Sequence, residues 1–146
     1  MKLFKKILIA TDGSERNRNA VNEGIAIARE LGSALYAVFV IDTSIFGTAV
    51  TGASPPSVTM VKSLRILNDE ARWSLDKVRK LAGDLPVETV VLEGRPSEEI
   101  VKFAEANGID LIVIGTLGKG GIERLLIGSV ADKVIRLSSS MVLVVK

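Results

Sequence analysis

The chain has 146 residues, 47% of them hydrophobic and 25% charged, with 19 Lys and Arg against 17 Asp and Glu for a net charge of +2. A chain of this length buries a core without a disulfide or metal staple, and with no Cys and no His it has no thiol nucleophile, no imidazole acid–base catalyst and no zinc centre built on those ligands. A nearly balanced charge and 4% aromatics argue against a nucleic-acid partner, which wants a basic face and stacking rings.

Lys5 and Lys6 precede the first apolar run, Ile7 to Ala10, which stops at Asp12. It is too short for the apolar region of a signal peptide, and no stretch approaches the roughly 20 apolar residues of a spanning helix. A soluble, cytoplasmic protein without a membrane partner is expected. Ser14 to Leu31 then places Ala20, Val21, Gly24, Ile25, Ala28 and Leu31 on one helical face, with Ser14 as N-cap and Gly32 just past the end. The second strand is Ala34 to Ile41. A small-residue segment with two prolines, Asp42 to Ser57, separates it from a helical stripe over Val58 to Ala82. That stripe holds Val61, Leu64, Ala71, Leu75, Val78 and Ala82, and Trp73 falls off it. A loop this long is a flexible connection or a functional one.

Val87 to Leu92 reads as the third strand. Pro96 to Asn107 reads as a helix with Pro at its start, Glu98 and Glu99 in the first turn, where the helix dipole favours acids, and Gly108 beyond its end. Asp110 to Ile114 is the fourth strand, Ser129 to Leu137 a helix with Val130, Val134 and Leu137 at helical spacing, and Met141 to Val145 the fifth strand. The strand runs are continuous rather than alternating, which suits a parallel sheet covered on both faces. Strands alternating with helices predict one doubly wound, three-layer α/β domain over residues 1–146.

The segment from Ile114 to Val130 (IGTLGKGGIERLLIGSV) carries most of the functional information. Gly115 follows directly on the fourth strand, Gly118 comes after two intervening residues, and after nine more come Gly128 and Ser129, which open a helix. A phosphate needs N–H groups converging on it with no Cβ in the way, and a helix N-terminus adds unpaired amides and the positive end of a dipole. Lys119 supplies a mobile charge, and the Ser129 hydroxyl either caps its helix or bonds a phosphate oxygen. Two glycine turns with an ordinary N-cap are the plain alternative. Gly118-Lys119 is followed by Gly120 rather than Ser or Thr, so this is no Walker loop. Ala10-Thr11-Asp12-Gly13-Ser14-Glu15 lacks the glycine fingerprint of a dinucleotide fold.

Four stretches resemble the universal stress protein family in its ATP-binding branch: Lys6 to Ser14, Val38 to Asp42, Glu93 to Val101, and the glycine pattern running into Val142 to Val145. The resemblance covers nearly the whole chain. It implies strand order 3-2-1-4-5, as in adenine-nucleotide alpha-hydrolase-like folds, with the ligand at the switch point between strands one and four. Residues Ala10, Thr11 and Asp12 would flank it on one side, Ile114, Gly115 and Gly118 on the other. Asp12 would lie beside the adenosine, with a helix cap as its alternative role. Val40 would offer backbone N–H and C=O to the adenine edge. Gly115, Gly118, Gly128 and Ser129, with Lys119 and the amide of Val130, would cradle the triphosphate of ATP, and Mg²⁺ would bridge phosphate oxygens. The family often has His where Thr116-Leu117 stand, and Pro where Met141 stands. Its members pair through the last strand, which implies a homodimer through residues 141–145.

Phosphoryl transfer needs an oriented nucleophile at the γ-phosphate, and Asp12 is the only acid clearly near the site. The expected activity is therefore ATP binding that alters conformation or partner choice in a stress response, with slow hydrolysis at most. An adenine-nucleotide hydrolase or phosphotransferase would instead release ADP catalytically, and a non-binding dimeric interaction module would carry no nucleotide. A phospho-receiver domain is disfavoured, because the third strand ends in Glu93-Gly94 and Lys146 is the last residue.

Overall fold

A computed structural model describes residues 3–46, 57–116 and 127–146. Strands β1 (Lys6–Ala10), β2 (Ala34–Asp42), β3 (Val87–Gly94), β4 (Leu111–Gly115) and β5 (Met141–Val145) alternate with helices α1 (Arg18–Leu31), α2 (Val58–Ala82), α3 (Pro96–Asn107) and α4 (Ser129–Leu137). The strands form one parallel sheet of order β3-β2-β1-β4-β5.

The pleat sorts each strand onto two faces. Ile7, Ile9, Leu111 and Val113 pack with α1 and α2 residues such as Val21, Ala28, Leu75 and Val78. Leu8, Ala10, Ile112 and Ile114 pack with Ile100, Ala104, Ala131 and Val134 of α3 and α4. The central strands β1 and β4 are covered on both sides, which is why their sequences are apolar without a break. At the opposite end from the switch point, Asp110 fixes their stagger. Its carboxylate accepts the amides of Lys5 and Lys6 at 2.8 and 2.9 Å, while its own amide donates to the Lys6 carbonyl. Gly32 closes α1 at φ 64°, a left-handed residue that only glycine supplies without strain.

Several details differ from the sequence reading. The pattern beginning at Ser14 opens as a 3-10 turn over Glu15–Asn17, and α1 proper starts at Arg18. The Ser14 hydroxyl donates to Asp12 rather than capping a helix. On α2 the buried stripe runs through Met60, Ala71, Ser74, Leu75, Val78 and Ala82. Val61 lies about 100° round the helix from Met60 and is exposed, as is Trp73, whose ring carries the Lys77 ammonium 4.5 Å from its centroid. On α4 the buried residues are Ala131 and Val134. This nine-residue helix lies over the edge of the sheet, so its last turn projects past the core and Leu137 is 54% exposed. Strands β2 and β3 also run one and two residues longer than their apolar cores suggest, ending at Asp42 and Gly94, which pair with each other. Among the described residues no helix is long and apolar enough to cross a membrane.

Candidate functional site

The sheet order reverses direction between β1 and β4. A crevice opens there, outside the strands' carboxyl ends, where open α/β sheets receive ligands. Ala10 and Thr11 are buried at its floor and Asp12 is half-buried on its wall. The Thr11 amide donates to the Val38 carbonyl at 3.0 Å, the last bond between β1 and β2. Beyond it the chain turns away. Asp12 Oδ1 accepts both the Ser14 amide at 2.9 Å and the Ser14 hydroxyl at 2.6 Å, and Thr11 Oγ1 accepts the Gly13 amide. Asp12 thus ties up the turn that precedes the helix and does not cap the helix itself, and its carboxylate stays at the crevice.

This departure frees part of β2. In a parallel ladder, backbone groups of alternate residues face the same neighbour. Val38 faces β1, so the N–H and C=O of Val40 face that way too, and β1 has ended by then. The Val40 side chain packs into the core on the α3 and α4 face. Its backbone, not its side chain, is what it presents to the crevice.

On the other wall, Ile114 and Gly115 are buried, and Gly115 pairs with Val145. The next residue, Thr116, donates its amide to Val145 and accepts the Gly128 amide at 2.5 Å. The end of β4 and the start of α4 are therefore in direct contact. Gly118 and Lys119 lie outside the described residues.

The first turn of α4 is open. Gly128 is the N-cap and no side chain caps the helix. Asp132 donates to the Gly128 carbonyl, so the amides of Ser129, Val130 and Ala131 precede the first internal bond. None of the three has an acceptor among the described residues. Ser129 is exposed, and its hydroxyl does not cap. The Gly128 amide, by contrast, is used on Thr116 and is not available to a ligand. Three unpaired amides at the positive end of a helix dipole can receive an anion.

Two features were not legible in the pattern. Asn17 is buried beneath the end of β1, with its Nδ2 3.5 Å from the Ala10 carbonyl and its Oδ1 without a partner. A single Asn between Arg16 and Arg18 carries no signal of burial. Beside α4, a cavity of about 710 Å³ runs from Ser129, Val130 and Lys133 to Arg95, Ser97 and Glu98 at the start of α3. Each helix start was readable alone. That both open on one cavity follows only from their lying on the same face of the sheet.

The parallel sheet of order β3-β2-β1-β4-β5, with an open helix N-terminus beside its switch point, is that of a doubly wound α/β protein. The universal stress protein family model matches residues 3–146, and the chain belongs to that family. Universal stress protein MJ0531 of Methanocaldococcus jannaschii is 44% identical over 147 residues, covering 99% of this chain and 83% of the relative. Universal stress protein MJ0577 of the same organism is 33% identical over 155 residues, covering 99% and 96%. The solved structure of MJ0577 aligns with a TM-score of 0.81 at 31% identity, covering 99% of this chain and 96% of that one. A universal stress protein crystallised in complex with cAMP aligns with a TM-score of 0.62 at 25% identity, covering 98% and 97%.

Proposed function

We propose that the chain is one nucleotide-binding unit over residues 1–146, a cytoplasmic regulatory protein that binds ATP and changes conformation or partner choice with occupancy. The observation that carries this reading is the open first turn of α4, held by the Thr116–Gly128 bond at the mouth of β4. The cAMP complex of a family member supports an adenine nucleotide as the ligand class. In this reading Val40 offers its free backbone pair to the base, and Asp12 meets the sugar. Gly115, Gly118, Ser129 and the Val130 amide surround the phosphates, with Lys119 adding charge.

Among the described residues no cluster of three or more acidic side chains is placed to hold a metal. Mg²⁺ then arrives on the phosphates, as that ion commonly does. Hydrolysis is slow, because Asp12 is engaged with Ser14 and offers no oriented base to a γ-phosphate. Two copies pair through β5, whose outer edge no described strand covers.

Calorimetry with ATP and Mg²⁺, alongside an ADP-release assay, tests the reading. Stoichiometric binding with turnover well below one per second is expected. No binding of ATP, AMP or GTP would refute it, and turnover near one per second would make the protein an enzyme.

A further inference from the structure

Another cavity lies on the opposite face of the sheet, between α1 and α2. Thr11, Gly13 and Ser14 of the turn after β1 meet Ser74 in the middle of α2, and these small residues leave a cleft of about 260 Å³. Its walls are Val21 of α1 and Val78 and Leu81 of α2. Val21 and Val78 are buried, and Leu81 is exposed at the lip. The two serine hydroxyls on the wall spend their protons inside the chain, Ser14 on Asp12 and Ser74 on the Glu70 carbonyl. The interior therefore favours an apolar group. An apolar cavity of ~150 Å³ already takes benzene, so this one has room for a ring or a medium-length acyl chain.

The charge around this cleft is of one sign. Arg18, Lys77 and Lys80 line it, and among the described residues no carboxylate does. Glu15 is engaged with Arg18 at 3.0 Å and Asp76 with Arg79 at 3.7 Å. The Lys77 ammonium rests on the Trp73 ring, 4.5 Å from its centroid, rather than on an acid. Lys80 forms no ion pair among the described residues. Arg18 is offset by Glu15, which leaves two uncompensated ammonium groups beside an apolar cleft. Such a rim attracts an anion and disfavours a cation.

We propose that this cleft binds a small amphipathic carboxylate. Its apolar part lies between Val21 and Val78, and its carboxylate meets Lys77 and Lys80. The site is separate from the crevice at the switch point and does not rest on the nucleotide reading. It also carries its own reporter. Trp73 is the only tryptophan of the chain, and Lys77 both touches its ring and lines the cleft. An anion that draws Lys77 off the ring changes the fluorescence of Trp73.

Fluorescence titration with octanoate and with octan-1-ol, on the native chain and on Lys80→Glu, tests it, and NMR locates the bound octanoate. The native chain gives a saturable change and binds octanoate about tenfold more tightly than octan-1-ol or better, the size of one charge-assisted contact set. Lys80 is exposed, so Lys80→Glu leaves the thermal midpoint unchanged while bringing that ratio down to about threefold or less. Nuclear Overhauser contacts run from the octanoate methylenes to the methyls of Val21 and Val78. Equal affinity for acid and alcohol, a ratio untouched in Lys80→Glu, contacts to other residues instead, or no saturable change would each overturn the site.

Discussion

The Thr116 carbonyl accepts the Gly128 amide at 2.5 Å, so the end of the fourth strand and the start of the last helix form one junction. Everything proposed about anion binding depends on that junction. It holds the start of α4 beside the end of β4, and that helix opens with three amides that have no acceptor among the described residues.

Gly13 sits at φ 76°, and a Cβ there would lie 2.1 Å from Ser74 Oγ. Ser74 is itself buried and donates to the Glu70 carbonyl, so it cannot yield cheaply. Gly13→Ala combines a left-handed backbone with a clash. It should cost more than about 1 kcal/mol, lowering the thermal midpoint by roughly 3 °C or more in a chain this size.

Gly24 poses a contest of signs. In the middle of α1, alanine would gain about 1 kcal/mol of helix propensity. A Cβ there would stand 2.5 Å from Ile9 Cγ1 and 2.8 Å from its Cδ1, and Ile9 is fully buried. Overpacking of that kind costs about 1–3 kcal/mol. Gly24→Ala should therefore be destabilising in chemical denaturation, against what the helix alone predicts.

The elements were readable because their causes are local. Ser57 caps α2 by accepting the Met60 amide, Pro96 opens α3, and the unbroken apolar runs of β1 and β4 follow from burial on both faces. Legibility failed where the cause was tertiary. Val61 and Leu137 have the right spacing for a buried stripe, but which side of a helix meets the sheet is set by packing. The roles of Ser14 and Asn17 depend on how β1 ends, and the cavity that the starts of α3 and α4 share depends on both helices lying on one face of the sheet. At the candidate site, Asp12 and Ser129 were picked out by motif. That Gly128 uses its amide on Thr116 was not visible in spacing alone.

Asp84 accepts a 2.8 Å bond from Arg29 Nη1. That hydrogen bond, then the guanidinium charge, holds its carboxyl below the ordinary value of 3.8. A depressed carboxyl contributes stability above its unfolded pKa and loses it as pH falls through the folded one. The effect therefore vanishes only below pH 3.8. Because the pair is exposed, salt should weaken it. An NMR titration of Asp84 should give a midpoint below 3.8 that returns toward it in Arg29→Ala.

Dimerisation through β5 can be tested without breaking the sheet. Met141 donates to Asp110 and Val145 accepts from Thr116, so Met141, Leu143 and Val145 direct their backbone groups to β4. By alternation, Val142 and Val144 direct theirs outward. Val144→Pro deletes an outward donor and no ladder bond, a placement edge strands tolerate. Light scattering at tens of micromolar should find the native chain dimeric and the variant monomeric but still cooperatively folded. A monomeric native chain would remove the dimer.

The most direct test of the α4 junction is Ser129→Pro. Proline is favoured at the first helical position, and Gly128 at φ −62° and ψ 157° already has the extended backbone that a following proline requires. The substitution deletes one open amide and one hydroxyl while leaving the helix intact. Calorimetry with ATP and Mg²⁺ should show binding to the native chain and an affinity about tenfold or more lower in Ser129→Pro, with an unchanged or higher thermal midpoint. Equal affinity in the two proteins would contradict the account.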